Sequence, residues 1–360
     1  MTPDPAPIPV TLLTGFLGSG KTTVLNHLVR QPELADTLVI INEFGEMALD
    51  HLLVAHSTEN PVLELSSGCL CCTLRSDLVK TLREVTWRFS RNGRRQFRRV
   101  LIETTGLADP APILHTLMAD PQIAAKYRLD GVVATIDLAT GWDTLEQHPE
   151  AVRQAAMADV LLLTKADLAS AERRAALLRR LDGINRAAPR RAACKGVIAP
   201  AQLLDLGPVI AEDRLPDVER WLGKAAHAGT FAQASPARHD HGLTGHGPHD
   251  ASGHDDGIRA HCFTMDEPIP EGMLDAWLNT LAGSLGGGIL RVKGIVGIEG
   301  HDTPVAIHGV QHVFHPPASL PAWPGGDRRS RWVFITRNVG REALEATFRG
   351  LRRAPREPER

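Results

Sequence analysis

The run Gly15-Phe16-Leu17-Gly18-Ser19-Gly20-Lys21-Thr22 directly follows the apolar stretch Val10-Thr11-Leu12-Leu13. A glycine-rich turn from a buried strand into a helix, ending in Lys-Thr, leaves few architectures open. Gly15, Gly18 and Gly20 let backbone N–H groups curl round a phosphate, and a helix starting at Lys21 aims the positive end of its dipole at the same point. Lys21 adds a point charge for the β and γ oxygens, and the Thr22 hydroxyl is a hard ligand suited to Mg²⁺. The pattern predicts a nucleoside triphosphate held by Gly15, Gly18, Ser19, Gly20, Lys21, Thr22 and Thr23.

Apolar runs alternate with helical patterns over residues 1–222, the signature of an α/β domain with a mostly parallel sheet. Strands are expected at Val10–Leu13, Leu38–Ile41, Val100–Ile102, Val132–Ile136 and Val160–Leu163. Helices are expected at Lys21–Arg30, Asp77–Phe89, Pro110–Met118 and Ala171–Leu181. Residues 223–257 lose all apolar periodicity and read as a flexible, His-rich linker. Residues 258–360 then predict a smaller α+β domain, with strands at Ile258–Met265, Gly288–Ile298, Thr303–Phe314 and Trp332–Thr336 and helices at Met273–Leu281 and Arg341–Phe348. The fold class is therefore a P-loop NTPase domain followed by a smaller α+β domain.

Two further motifs end predicted strands. Leu101-Ile102-Glu103-Thr104-Thr105-Gly106 delivers a carboxylate that can reach Mg²⁺ or orient an attacking water, and the Gly106 N–H can approach a γ-phosphate. Thr164-Lys165-Ala166-Asp167 follows Val160–Leu163. Asp167 can accept guanine N1–H and N2–H₂, the Lys165 stem can cover the ring, and Thr164 stands where GTPases usually place Asn. Adenine has no such donor pair, so with ATP the carboxylate would be desolvated and unpaired, at about 1–3 kcal/mol. Asp167 as a plain helix cap is the alternative.

Between the first two motifs lies Cys69-Leu70-Cys71-Cys72. Thiolates are soft ligands for zinc, and three in one loop leave a tetrahedral ion one further position. Glu43, Glu46 or a histidine can fill it, with Glu46 preferred; a structural zinc clip and a transferable site are both compatible with the residues. His239, His241, His246, His249 and His254, interleaved with aspartates in the linker, suit weak collection of zinc, cobalt or nickel, or form a plain polar spacer.

Lys and Arg (40) nearly balance Asp and Glu (42), so overall charge calls for neither nucleic acid nor an anionic membrane. The N-terminus lacks a basic-then-apolar leader, and no run of about 18 apolar residues follows, which predicts a cytoplasmic protein. Cys194 and Cys262 read as small buried side chains. Arg94–Arg99 reads as a solvated basic run or an acidic-partner surface, Arg291 and Lys293 as solvated or partner-facing charges, and Asp137 as a turn cap or a cleft residue.

Taken together, Thr11 to Thr23, Asn42-Glu43-Phe44-Gly45-Glu46, Gly68 to Cys72, Glu103 to Pro110 and Thr164 to Asp167 resemble the CobW/YjiA family of metal-associated P-loop GTPases. Leu290-Arg291-Val292-Lys293-Gly294 and Trp332-Val333-Phe334-Ile335 are similar to that family's C-terminal domain. The resemblance implies a slow cytoplasmic GTPase that binds zinc, cobalt or nickel and acts in metal homeostasis, metal insertion or cobalamin synthesis. Glu103 reproduces the family's Glu in place of the usual strand-end Asp, and the motifs above make Lys21, Glu103 and Gly106 the expected catalytic residues. One departure is Ile41, where some members carry a metal-associated Glu. The expected function is a GTP-hydrolysing metallochaperone serving a client metalloprotein or metal-insertion complex, with a nucleotide- or metal-dependent homodimer as a further partner. The alternatives are a zinc-buffering or sensing protein that uses GTP as a conformational ligand, and a small-molecule kinase.

Overall fold

The computed structural model describes residues 6–41, 62–64, 72–91, 94–207, 257–323 and 327–351. Strand β1 (Ile8–Gly15) and helix α1 (Lys21–Leu28) open the first domain. They are followed by β2 (Thr37–Ile41), β3 (Val62–Glu64), α2 (Cys72–Arg88) and a small hairpin of β4 (Ser90–Arg91) and β5 (Arg94–Arg95). Then come β6 (Arg99–Glu103), α3 (Ala111–Ala119), β7 (Tyr127–Asp137), α4 (Gly141–Gln147), α5 (Pro149–Met157), β8 (Val160–Thr164), α6 (Ala171–Asn185) and β9 (Arg190–Ala192).

Seven strands form one parallel sheet in the order β3-β2-β6-β1-β7-β8-β9. Strands covered by helices on both faces read as mostly apolar runs, and β1 shows why. Val10 and Leu12 pack into one core layer with Leu38 and Val100, while Leu13 packs on the other face with Val24 and Leu25. The chain runs from β1 to β2 and β3 on one side, returns to β6, and continues through β7, β8 and β9 on the other. The carboxyl end of β1 thus lies where the strand order changes direction, the place at which such sheets bind ligands.

The second domain contains β10 (Ile258–Met265), α7 (Met273–Leu285), β11 (Ile289–Val296), β12 (Val305–Val310), β13 (Val313–Phe314), β14 (Ala318–Ser319), β15 (Ser330–Arg337) and α8 (Arg341–Phe348). Its antiparallel sheet has the order β10-β15-β11-β12-β13, with β14 also paired to β12. The expected strand Thr303–Phe314 is a hairpin instead, because Gln311 takes a left-handed φ of 52° and pairs Val310 with Val313.

Alternation along β15 assigns its two faces. Trp332 and Phe334 join Phe263, Trp277 and Phe348 beneath α7 and α8, while Ile335 packs with the core of the first domain. Trp332 lies over Gly294, where a Cβ would meet its ring at 2.5 Å. The same alternation turns Arg291 and Lys293 of β11 toward the first domain. They are 2% and 7% exposed and both pair with Asp159, so they are neither solvated charges nor a partner surface.

Other expectations also change. Arg95 is exposed and Arg98 pairs with Asp36, but Arg99 opens β6 and pairs with the buried Asp130 at 2.7 Å. Cys194 is exposed and Cys262 partly so. Among the described residues no helix is long and apolar enough to cross a membrane.

Candidate functional site

Strand register gathers the predicted residues. Leu13 is opposite Glu103, Gly15 opposite Thr135, and Asp137 opposite Thr164, so the ends of β6, β1, β7 and β8 lie side by side. Between β1 and α1 the loop needs its glycines: Gly15, Gly18 and Gly20 have φ of 139°, 69° and 97°. A Cβ on Gly15 would also lie 2.1 Å from Thr135 Oγ1. Gly20 caps α1 without a side chain, so the first-turn amides of that helix open toward the loop.

Lys21 is 8% exposed, and its Nζ donates to the carbonyls of Gly15 (2.9 Å) and Phe16 (3.1 Å), which holds the ammonium in the curl of the loop. Ser19 acts within the loop. Its N–H and hydroxyl both donate to the Phe16 carbonyl, and the hydroxyl also meets Thr135 Oγ1 at 2.6 Å. Thr22 Oγ1 donates to Glu103 Oε1 at 2.8 Å, and Glu103 is 4% exposed.

The chain after Glu103 stays close to the loop. The Thr104 N–H donates to the Leu13 carbonyl, and its hydroxyl donates to Thr14 Oγ1 at 2.9 Å. Gly106 then passes so near Leu17 that a Cβ would lie 2.6 Å from the Leu17 backbone N.

Thr164 and Lys165 tie the motif expected to read the base to the same loop. Thr164 Oγ1 donates to the Ser19 carbonyl at 2.7 Å. Lys165, at a left-handed φ of 53°, donates to the Gly18 carbonyl and to Asp137 Oδ2, each at 2.7 Å. Asp137 serves as both cap and cleft residue, since its Oδ1 also accepts from the Ala139 N–H at 2.8 Å. Burial pushes its pKa up, but the bonds from Lys165 and Ala139 outweigh that and hold it below the usual carboxylate value. Asp167 stands exposed one turn beyond, with its carboxylate accessible to a base.

Sequence reasoning missed one wall. After β9, Ala193 donates its N–H to the Leu163 carbonyl, Lys195 takes a φ of 50°, and Gly196 packs on the first turn of α1, where a Cβ would meet the Thr23 carbonyl at 2.8 Å. Its only signal was Gly196, a lone glycine after a short charged edge strand. Glu43, Glu46, Cys69, Cys71 and the histidines His239, His241, His246, His249 and His254 lie outside the described residues, and Cys72 is the first residue of α2. Among the described residues no group of three His, Cys, Asp or Glu side chains is arranged to hold a metal. Ile41 is buried in the core at 5% exposure.

The chain is similar to known proteins along nearly its whole length. The chain is 30% identical over 347 residues to the zinc chaperone YjiA of Escherichia coli, a match covering 96% of this chain and 99% of that protein. It is 32% identical to the zinc chaperone CobW of Pseudomonas aeruginosa, over 96% of this chain and 91% of that one. The crystal structure of zinc-bound YjiA GTPase from E. coli superposes with a TM-score of 0.63 at 26% identity, covering 96% of this chain and 99% of that chain. The model of the CobW/HypB/UreG nucleotide-binding domain matches residues 9–191 and that of the cobalamin synthesis protein cobW C-terminal domain matches residues 258–352, so the chain belongs to the CobW family of nucleotide-binding GTPases.

Proposed function

We propose that the protein binds and hydrolyses GTP and couples its nucleotide state to zinc held at Cys69, Cys71 and Cys72, with Glu46 as fourth ligand, for delivery to a client metalloprotein. In hydrolysis, water attacks the γ-phosphorus, the bond to the β-phosphate oxygen breaks, and GDP and phosphate leave. Lys21 and the α1 amides stabilise charge on the phosphate oxygens, Glu103 orients the water, and the Gly106 N–H faces the γ-phosphate. Asp167 reads guanine while Lys165 covers it.

The hard oxygens of Thr22 and Glu103, 2.8 Å apart, fit a Mg²⁺ ion. Bound there, it would neutralise charge on the β- and γ-phosphates. Turnover is slow unless a partner completes the site.

The observation that carries the coupling is a register. Ile41 pairs with Glu64 on one side and Glu103 on the other, so β3 ends two strands, roughly 10 Å, from the catalytic carboxylate. In sequence, Glu46 follows the end of β2 and Cys69 and Cys71 follow the end of β3. Cys72 is the first residue of α2, directly after the other two cysteines in sequence. The names of the relatives that match nearly the whole chain support zinc as the cargo.

Phosphate release from GTP, with zinc content measured on protein purified without a metal-binding tag, tests the reading. It predicts GTP-specific turnover and one tightly held zinc that Cys72→Ser removes. Absence of either overturns the corresponding half.

A further inference from the structure

Helix α5 carries one fully buried amide. Gln154 is 1% exposed, and its Nε2 donates to the carbonyls of Gly106 and Ala108, each at 3.0 Å. Both N–H bonds of the amide are engaged, so its orientation is fixed; a flipped amide would set Oε1 against two carbonyl oxygens. Those carbonyls belong to the loop that presents the Gly106 N–H beside Leu17. The neighbouring Arg153 lies 3.4 Å from Asp109 at the far end of that loop, and His148, just before α5, stacks on Phe16 at 4.4 Å.

The other end of α5 is held by the last residue of α6 and by the second domain. Asn185 donates to the carbonyls of Ala155, Ala156 and Ala158. Arg291 donates to the Met157 carbonyl and, at 2.6 Å, to Asp159 Oδ2, and Lys293 pairs with Asp159 Oδ1. Asp159 in turn accepts from the Val132 N–H at 2.8 Å, fixing this knot to β7. A guanidinium on the last carbonyls of a helix satisfies groups that the helix itself leaves open and complements its dipole. One short helix therefore joins a buried interdomain ion pair to the loop facing the γ-phosphate.

We propose that Gln154 is a positioning residue for GTP hydrolysis, and that Arg291, by seating the end of α5, lets the C-terminal domain set the position of the Gly106 loop. This rests on the hydrolysis reading above. Any partner that shifts the C-terminal sheet reaches the nucleotide through α5. The device acts on the bond-breaking step, because neither Gln154 nor Arg291 touches the base-reading motif or the Lys21 contacts.

The test uses the full chain with Gln154→Glu, which keeps size and helix propensity but sets a carboxylate oxygen against two carbonyls, together with Arg291→Met and the double variant. Steady-state GTP hydrolysis, affinity for a fluorescent GDP, and hydrogen exchange of the peptide spanning residues 104–110 are measured. Gln154→Glu should lower kcat about tenfold or more, as expected for a misplaced catalytic element. KM and GDP affinity should stay within about twofold. Exchange at 104–110 should quicken in both single variants, and the double variant should be no slower than Gln154→Glu, because both act on one path. Where Arg291→Met does not fold, Arg291→Lys keeps the buried charge without the fork that reaches both Met157 and Asp159. Wild-type kcat and exchange in Gln154→Glu, or additive losses in the double variant, overturn the inference. Wild-type protein that hydrolyses no GTP overturns the hydrolysis reading instead; the exchange of 104–110 then still decides whether Gln154 holds the loop.

Discussion

Thr22 at the start of α1 and Glu103 at the end of β6 are joined by a 2.8 Å hydrogen bond, although 81 residues of chain separate them. The bond places the hydroxyl expected to meet Mg²⁺ against the carboxylate expected to orient water. Glu103→Gln keeps the size and can still accept from Thr22, yet removes the charge. Its kcat should fall about 10²-fold or more, with GTP affinity changed far less. Phosphate release and nucleotide binding, measured on the same preparation, check the split.

In the proposed reading, Asp167 accepts two donors from the base. Asp167→Asn presents an N–H₂ donor toward the guanine N2 group, so GTP affinity should fall by about 10²-fold or more, the size of discrimination that hydrogen-bonded sites reach. Xanthosine triphosphate, which carries a carbonyl oxygen at that position, should gain relative to GTP. Competition between the two nucleotides measures the switch.

Gly106→Ala should damage the phosphate loop as much as its own. The added carbon would lie 2.6 Å from the Leu17 N and 2.7 Å from its Cα, which are backbone atoms that no rotamer change can move. GTP affinity and hydrolysis should both fall, and Leu17→Ala in the same background should not restore them. Titration with fluorescent GTP analogues checks both variants.

The interdomain ion pair gives a pH signature. Burial lowers the Lys293 pKa from 10.5 to about 8, with Asp159 opposing and Arg291 assisting. Between pH 8 and 10.5 the unfolded chain therefore holds a proton that the folded chain has released, so this group's contribution to stability rises with pH across that window and is lost as pH falls through about 8. Asp159, despite its burial, is held low by Arg291 and Lys293 and stays ionised throughout. Lys293→Met should remove the slope at little cost, since Arg291 still pairs with Asp159. Arg291→Met should cost about 3–5 kcal/mol, the range for breaking a buried pair. Denaturant melts from pH 7 to 10 separate the two.

Much of the candidate nucleotide site's layout was legible because its motifs are local. A run of glycines, a strand-end carboxylate and Thr164-Lys165-Ala166-Asp167 each announce themselves within ten residues. Helix α5 was not legible: Ala155, Ala156 and Met157 form a short apolar patch without clear periodicity, and only His148-Pro149-Glu150, with proline and an acid in the first turn, marked its start. Strand β9 hid because Arg190 and Arg191 on an edge look like a loop. Arg291 and Lys293 read as surface charges because nothing near them in sequence reveals Asp159, 132 residues away from Arg291. Long-range pairing decided what local pattern could not.

The central claim is that nucleotide state and metal affinity are linked through the edge where β3, β2 and β6 end. Zinc affinity measured by competition with a chromophoric chelator, in nucleotide-free, GDP-bound and GTP-bound protein, tests it most directly; Glu103→Gln keeps the GTP form from turning over. A difference of about fivefold or more between the GTP and GDP forms, abolished by Cys72→Ser, is the predicted result. Equal affinity in all three states would contradict it.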